Sequence, residues 1–165
     1  MQNYLKTERF YLREFSLADV EDLTLLDSDP DVMKWVTNGK TNNVNIIKQR
    51  VEDTIKKMQE FEHKYGFWIA KDNQTDEFIG WFHLRPGKDD PQNVSTLEIG
   101  YRLLKPFWGK GMATEGSLAL IKKAKEELRA KKIFATTMKK TLHPERFWKS
   151  VVLLFHMNIM MNDFL

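Results

Sequence analysis

Two glycines one residue apart stand at the head of a helix-forming run, in the order Trp108-Gly109-Lys110-Gly111-Met112-Ala113-Thr114-Glu115. This spacing suits anion binding. Glycine lets a backbone approach a ligand closely, and a helix start offers unpaired N–H groups with the positive end of the helix dipole behind them. A diphosphate would fit such a turn. The pattern matches neither common nucleotide loop. A P-loop needs Gly-Lys followed by Ser or Thr after a longer glycine stretch, and the dinucleotide turn G-x-G-x-x-G finds Thr114 where its third glycine belongs. Taken alone, a G-x-G before a helix is equally compatible with a plain tight connection. His83 has the titration range for base chemistry, although a single histidine on a strand is more often a surface or hydrogen-bonded residue. His63, His143 and His156 stand at no metal-ligand spacing, so no metal site is expected. The chain has no cysteine, which removes thiolate nucleophiles, disulfides and Cys-based metal centres and agrees with a reducing compartment.

The elements that must position these residues follow from periodicity. At 165 residues with 42% hydrophobic and 30% charged residues, the chain is long and apolar enough for one domain (1–165) with one core. Arg9 to Phe15 alternates as a strand, and Ser16 stands where an N-cap belongs, ahead of a helix that stops by Asp29-Pro30. Asp31 to Val36 reads as another helical turn, Asn38-Gly39 as a turn, and Val44 to about Glu62 as an amphipathic helix. Tyr65 to Lys71 and Phe78 to Leu84 read as antiparallel strands joined by the polar run Asp72 to Asp76. Arg85 to Asn93 is a polar surface loop, and Thr96 to Leu104 is a strand with Leu97, Ile99, Tyr101 and Leu103 on one side. Ala113 to about Ala130 is a helix, and Ile133 to Met138 is a further central strand.

The formal charge of +3 is too small and too well mixed to mark a nucleic-acid surface. No apolar run approaches the roughly 20 residues of a membrane span, and the N-terminus lacks the apolar stretch of a signal peptide. A soluble, cytoplasmic chain is expected, with neither nucleic acid nor membrane as partner; homo-oligomerisation is left open.

The strand Leu97-Glu98-Ile99-Gly100-Tyr101-Arg102-Leu103 followed by the glycine turn and helix resembles the GNAT superfamily of acyl-CoA N-acyltransferases. Within it the chain is most similar to the branch of ribosomal-protein N-terminal acetyltransferases. The opening Thr7-Glu8-Arg9-Phe10-Tyr11-Leu12-Arg13 and the run Phe78-Ile79-Gly80 carry the same likeness, which extends from about residue 5 to 140. The resemblance implies a mixed α/β fold, a twisted and mostly antiparallel sheet flanked by helices, with an atypical C-terminal end. It implies acetyl-CoA as acyl donor. Backbone amides at Gly109, Lys110, Gly111, Met112, Ala113 and Thr114 would hold the diphosphate beside Trp108. The strand from Ile99 through Gly100 and Tyr101 to Leu103 would pair with the pantetheine, with a splay next to it for the acyl group.

The implied reaction moves an acetyl group to a primary amine, which must be neutral to attack. An α-amine, with a pKa near 7.7, needs less help than a lysine near 10.4. Glu98 would be the general base, often acting through water; the alternative is that it pairs with a lysine or arginine across the sheet. A backbone N–H near Ile99 or Gly100 would meet the oxyanion. Trp35, Phe67, Trp68, Trp81 and Phe82 are read as core rather than as ligand walls. The clusters Lys122-Lys123-Lys125 and Lys131-Lys132 are read as solvated faces, with the CoA 3′-phosphate as the alternative. Residues near Trp35 to Lys40 are the family's usual acceptor side. The acceptor expected is a protein N-terminal α-amine; polyamines, antibiotics and other small amines remain open. The rival reading is a non-catalytic remnant that binds CoA or nothing, and a basic RNA-associated module ranks last.

After Lys140 the resemblance stops. The family's usual ending carries an Asn, a Ser and a helix reading Leu-Glu-Lys-x-Gly-Phe, with a tyrosine that often serves as general acid; here the chain reads Thr141-Leu142-His143-Pro144-Glu145-Arg146-Phe147-Trp148. Loss of one adenine within the codons around Lys139-Lys140 would account for this. The neighbouring frame can then encode Asn-Thr-Ala-Ser-Arg-Ala-Val-Leu-Glu-Lys-Cys-Gly-Phe, so a frameshifted tail is expected. In the tail as it stands, Pro144 could open a helix through Phe155 with an apolar face.

Overall fold

The computed structural model describes residues 4–37 and 39–136, with only the backbone given for Trp35. The expectations for the tail beyond residue 136 and for Asn38 lie outside the described residues. The elements run β1 (Leu5–Lys6), β2 (Phe10–Glu14), a single 3-10 turn (Leu17–Asp19), α1 (Val20–Ser28), α2 (Pro30–Thr37), α3 (Val44–Glu60), β3 (Gly66–Asp72), β4 (Phe78–Pro86), β5 (Thr96–Leu103), a second 3-10 turn (Lys105–Phe107), α4 (Met112–Glu126) and β6 (Lys132–Phe134). The six strands lie in the order β1-β2-β3-β4-β5-β6. All neighbours are antiparallel except β5 and β6, which run parallel.

Period-2 alternation along the central strands divides the sheet into two faces. Leu12, Trp68, Ala70, Phe82, Leu84, Leu97 and Ile99 pack with Leu120, Ile121 and Ala124 of α4 on one face. Ile69 and Phe78 meet Leu23, Leu26, Val32, Ile47 and Val51 of α1, α2 and α3 on the other. Trp68, Phe82 and Leu120 are completely excluded from solvent, and each such side chain contributes roughly 1.5–3 kcal/mol on removal from water. Gly116 lets α4 sit close, since a Cβ there would strike the rings of Phe82 and Phe10.

Local chemistry sets the boundaries. Asn43 caps α3, its side chain accepting the Ile46 N–H at 3.1 Å. Asp19 closes the entry to α1 by accepting from the Ser16 N–H at 2.7 Å and hydroxyl at 2.9 Å while paired with Arg13. The carboxyl of Asp19 is desolvated, which alone would raise its pKa, but the bonds from Arg13 and Ser16 outweigh burial and lower it. In β4 the register slips so that Ala70 faces Gly80 and Lys71 faces Phe78, which leaves Ile79 as the extra residue of a bulge. Gly80 is obligatory there: its φ is +150°, and a Cβ would run into the backbone of Arg102 and Leu103. β1 has no sequence signature, because two residues are too few to alternate.

Candidate active site

The strand carrying Glu98 to Leu103 is paired on both sides only in its first part. β5 meets β6 through Thr96, Leu97 and Glu98, opposite Lys132, Ile133 and Phe134. From Ile99 to Leu103 it keeps β4 on one side and, among the described residues, has no strand on the other. Its backbone groups along that edge are therefore available to an extended ligand, as at any open sheet edge. The alternation can be followed to its end. The Leu104 N–H bonds back to the Ile79 carbonyl at 2.9 Å, so the preceding carbonyl, that of Leu103, faces the open edge. There the indole N–H of Trp108 donates to it at 2.8 Å. Trp108, 40% exposed, thus fastens the glycine turn to the end of the open strand.

The helix that follows begins with its donors bare. Gly109 and Gly111 have φ of +72° and +77°, values that L side chains adopt only with strain. Gly111 occupies the N-cap position of α4, and no side chain caps it. The first bond of the helix runs from the Glu115 N–H to the Gly111 carbonyl at 3.0 Å, which leaves the N–H groups of Met112, Ala113 and Thr114 as the unpaired donors of the first turn among the described residues. A Cβ at Gly109 would meet nothing within 4 Å among the described residues, so the turn is uncovered at that glycine. Met112 is buried and anchors the turn in the core. The Lys110 ammonium lies over the Phe107 ring at 5.8 Å. The donor set, backbone amides at a helix start whose one first-turn carboxylate, Glu115, is paired with Arg9, fits a diphosphate.

The side chains of Ile99 and Leu103 are buried against α4, so only their backbones reach the edge. Tyr101, on the same face, is half-exposed, and desolvation raises its phenol above the usual pKa. Glu98, Gly100 and Arg102 project to the opposite face, where each has an antiparallel partner: Arg85, His83 and Trp81. Glu98 is ion-paired with Arg85 through Oε2. Its other oxygen accepts no hydrogen bond among the described residues. Arg102 stacks over the Trp81 ring at 5.0 Å and pairs with Asp27 of α1, which also takes Asn42 at 2.9 Å and Arg50 at 3.4 Å. This cluster bolts the helical layer onto β5.

His83 lies directly over the strand. A Cβ at Gly100 would come within 2.6 Å of its Cε1, and the Phe67 and Trp81 rings flank it at 5.0 and 5.7 Å. Neither ring nitrogen has a partner among the described residues. Burial, then the positive charges of Arg85, Lys88 and Arg102, push the imidazole pKa down to about 3, so it is neutral at ordinary pH.

Of the aromatic set expected in the core, Trp68 and Phe82 are fully buried, whereas Phe67 and Trp81 are half-buried beside His83. Among the lysine clusters, Lys123 pairs with Glu127 at 2.5 Å and lies over the Tyr4 ring. The pair of Glu98 with Arg85 is the cross-strand alternative that the sequence offered for that carboxylate; sequence reasoning missed Arg9 on Glu115 and Lys110, and Asp27 on Arg102.

Comparison with known proteins places the chain in a family. Residues 9–143 match the family described as acetyltransferase (GNAT) domain. The chain is 34% identical over 71% of its length to the uncharacterized protein YkkB of Bacillus subtilis, covering 65% of that protein. It is 30% identical over 83% of its length to the FsC-acetyl coenzyme A-N(2)-transacetylase of Aspergillus fumigatus, covering 59% of that protein. It therefore spans about three fifths of the length of these relatives. Among solved structures, RimL, a ribosomal L7/L12 alpha-N-protein acetyltransferase in complex with coenzyme A, superposes with a TM-score of 0.73 at 13% identity, over 90% of this chain and 82% of that one. A sheet opened beside the glycine turn, a bare helix start and a family match over most of the chain lead to one conclusion: this chain belongs to the GNAT acetyltransferases.

Proposed function

We propose that this chain transfers the acetyl group of acetyl-CoA directly to a primary amine, and that the acceptor is a protein N-terminal α-amine. The observation that carries this reading is the meeting of two features at Trp108: the open edge of β5 and the uncapped start of α4. One would take the pantetheine as an added strand and the other the diphosphate. Acetyl-CoA supplies the thioester: the amine nitrogen bonds to its carbonyl carbon, the C–S bond breaks, and the amine gives up a proton as the thiol leaves. The backbone near Ile99 and Gly100 would face the developing oxyanion. Glu98 would accept the amine proton, directly or through water, with its second oxygen as the receiving atom.

The choice of an α-amine rests on how few of the described side chains are placed to take a proton. Glu98 is shared with Arg85, and His83 has its pKa depressed to about 3. A site so equipped suits an amine that is partly neutral already, and an α-amine near pKa 7.7 meets that condition where a lysine near 10.4 does not. The likeness to the Aspergillus transacetylase favours a second reading, a small-molecule amine acceptor.

The test is calorimetric titration of the 165-residue chain with acetyl-CoA, followed by turnover on peptides with free N-termini, the same peptides blocked at the N-terminus but bearing lysine, and polyamines. Micromolar binding and turnover confined to free N-termini are expected. Turnover on polyamines alone moves the assignment to the second reading. Absence of binding by a chain that melts cooperatively removes the enzymatic reading altogether.

A further inference from the structure

We propose that Arg9 is a positioning residue of the diphosphate loop: from the start of β2 it holds the Lys110 peptide in the orientation that aims the next backbone N–H at the ligand. This rests on the acetyl-CoA reading above and adds to it a residue outside the loop and the strand.

The contacts are specific. Arg9 Nη1 donates to the Lys110 carbonyl at 2.7 Å. Arg9 Nε donates to Glu115 Oε2 at 2.6 Å, and the Arg9 backbone N–H donates to Glu115 Oε1 at 3.0 Å. One residue of β2 therefore grips both the middle of the glycine turn and the first turn of α4. Burial works to raise the Glu115 pKa, but the bonds from Thr7 and Arg9 outweigh it and lower it, so the carboxylate that anchors Arg9 stays ionised.

The consequence follows from peptide geometry. No peptide bond of the described chain is cis, and across a planar trans peptide the carbonyl and the following N–H point in opposite directions. With the Lys110 carbonyl fixed on Arg9, the Gly111 N–H points away from Arg9, toward the side left for the anion. Lys110 lies between two residues of positive φ, and glycines are the residues with most conformational freedom to lose. Without an external tie this peptide plane could flip and present its carbonyl to the phosphate. A cationic donor on the carbonyl also polarises the peptide and strengthens its N–H as a donor.

Arg9→Ala, Arg9→Lys and Glu115→Gln are compared with the parent chain by titration with CoA and with dephospho-CoA, by melting without ligand, and by backbone 15N relaxation at Gly109 and Gly111. Arg9→Ala is expected to weaken CoA and dephospho-CoA equally, by about tenfold, the worth of one charge-assisted hydrogen bond. It should also lower the order parameters of the two glycines while the protein still melts cooperatively. Arg9→Lys should recover part of the affinity, and Glu115→Gln, which keeps the bond to Lys110, should lose less than Arg9→Ala. A loss confined to CoA would assign Arg9 to the 3′-phosphate and overturn the proposal, as would unchanged affinity with ordered glycines. A parent chain that binds no CoA would defeat the acetyl-CoA reading by itself. The relaxation comparison then still decides whether Arg9 orders the loop. If Arg9→Ala does not fold, Arg9→Lys carries the same comparison.

Discussion

A neutral imidazole sealed against β5 has a cost that depends on pH. In the unfolded chain His83 titrates near 6.5, whereas in the folded protein burial and neighbouring cations hold it at about 3. As pH falls below about 6.5 the unfolded state takes up a proton that the native state refuses, so stability is full above that value and drains away toward pH 3. Asp19 and Glu115, whose pKa values are lowered, lose their contributions only as pH falls through the carboxylate range near 4. Among the described groups whose pKa is shifted, His83 is the one that titrates between about 6.5 and 5, and in His83→Gln the chemical-denaturation midpoint is expected to flatten there. A slope as steep as the parent's would contradict this. At this scale the sequence was informative about residue types but not about partners. Gly109 and Gly111 announce a tight turn before a helix, whereas their spacing alone does not separate an anion site from a plain connection. Arg9 lies 106 residues from Glu115, and Arg102 lies 75 from Asp27; no periodicity or motif links such pairs.

At the scale of elements, most strands and helices were legible from the periodicity of their apolar residues, as in β5, where Leu97, Ile99 and Leu103 alternate with Glu98, Gly100 and Arg102. What could not be read is how one strand's glycine answers its neighbour's side chain. Gly100 of β5 exists opposite His83 of β4, and the imidazole fills the space of the missing Cβ. Gly100→Ala is accordingly expected to destabilise the fold by about 1–3 kcal/mol through overpacking. The double variant His83→Ala/Gly100→Ala should recover part of that loss, giving a coupling visible in a double-mutant cycle of urea midpoints. Additive effects would mean the strands adjust elsewhere. The short β1 and the early end of β6 at Phe134 were missed for a different reason: pairing registers, not local composition, fix them.

For the molecule as a whole, the helical layer and the sheet are held together by more than apolar packing. Asp27 of α1 sits against Arg102 of β5 with their side chains 5% and 15% exposed. Asp27→Ala would leave the guanidinium buried without its partner, and a loss of about 3 kcal/mol in unfolding free energy is expected. Asp31→Ala is the control, because its pair with Lys105 is open to solvent on both sides and exposed pairs contribute little. Equal effects from the two substitutions would show that the layers do not depend on the buried pair. The sheet itself closes unevenly. β3, β4 and β5 pair with strands next to them in sequence, contacts that form early because little chain must be gathered. β6 must return across α4 to reach β5, and among the described residues three pairs hold it there. The glycine turn lies inside that return. The half of the protein that would receive acetyl-CoA is thus the half expected to fold last and open first, so ligand occupancy would set the lifetime of the native state as well as its chemistry.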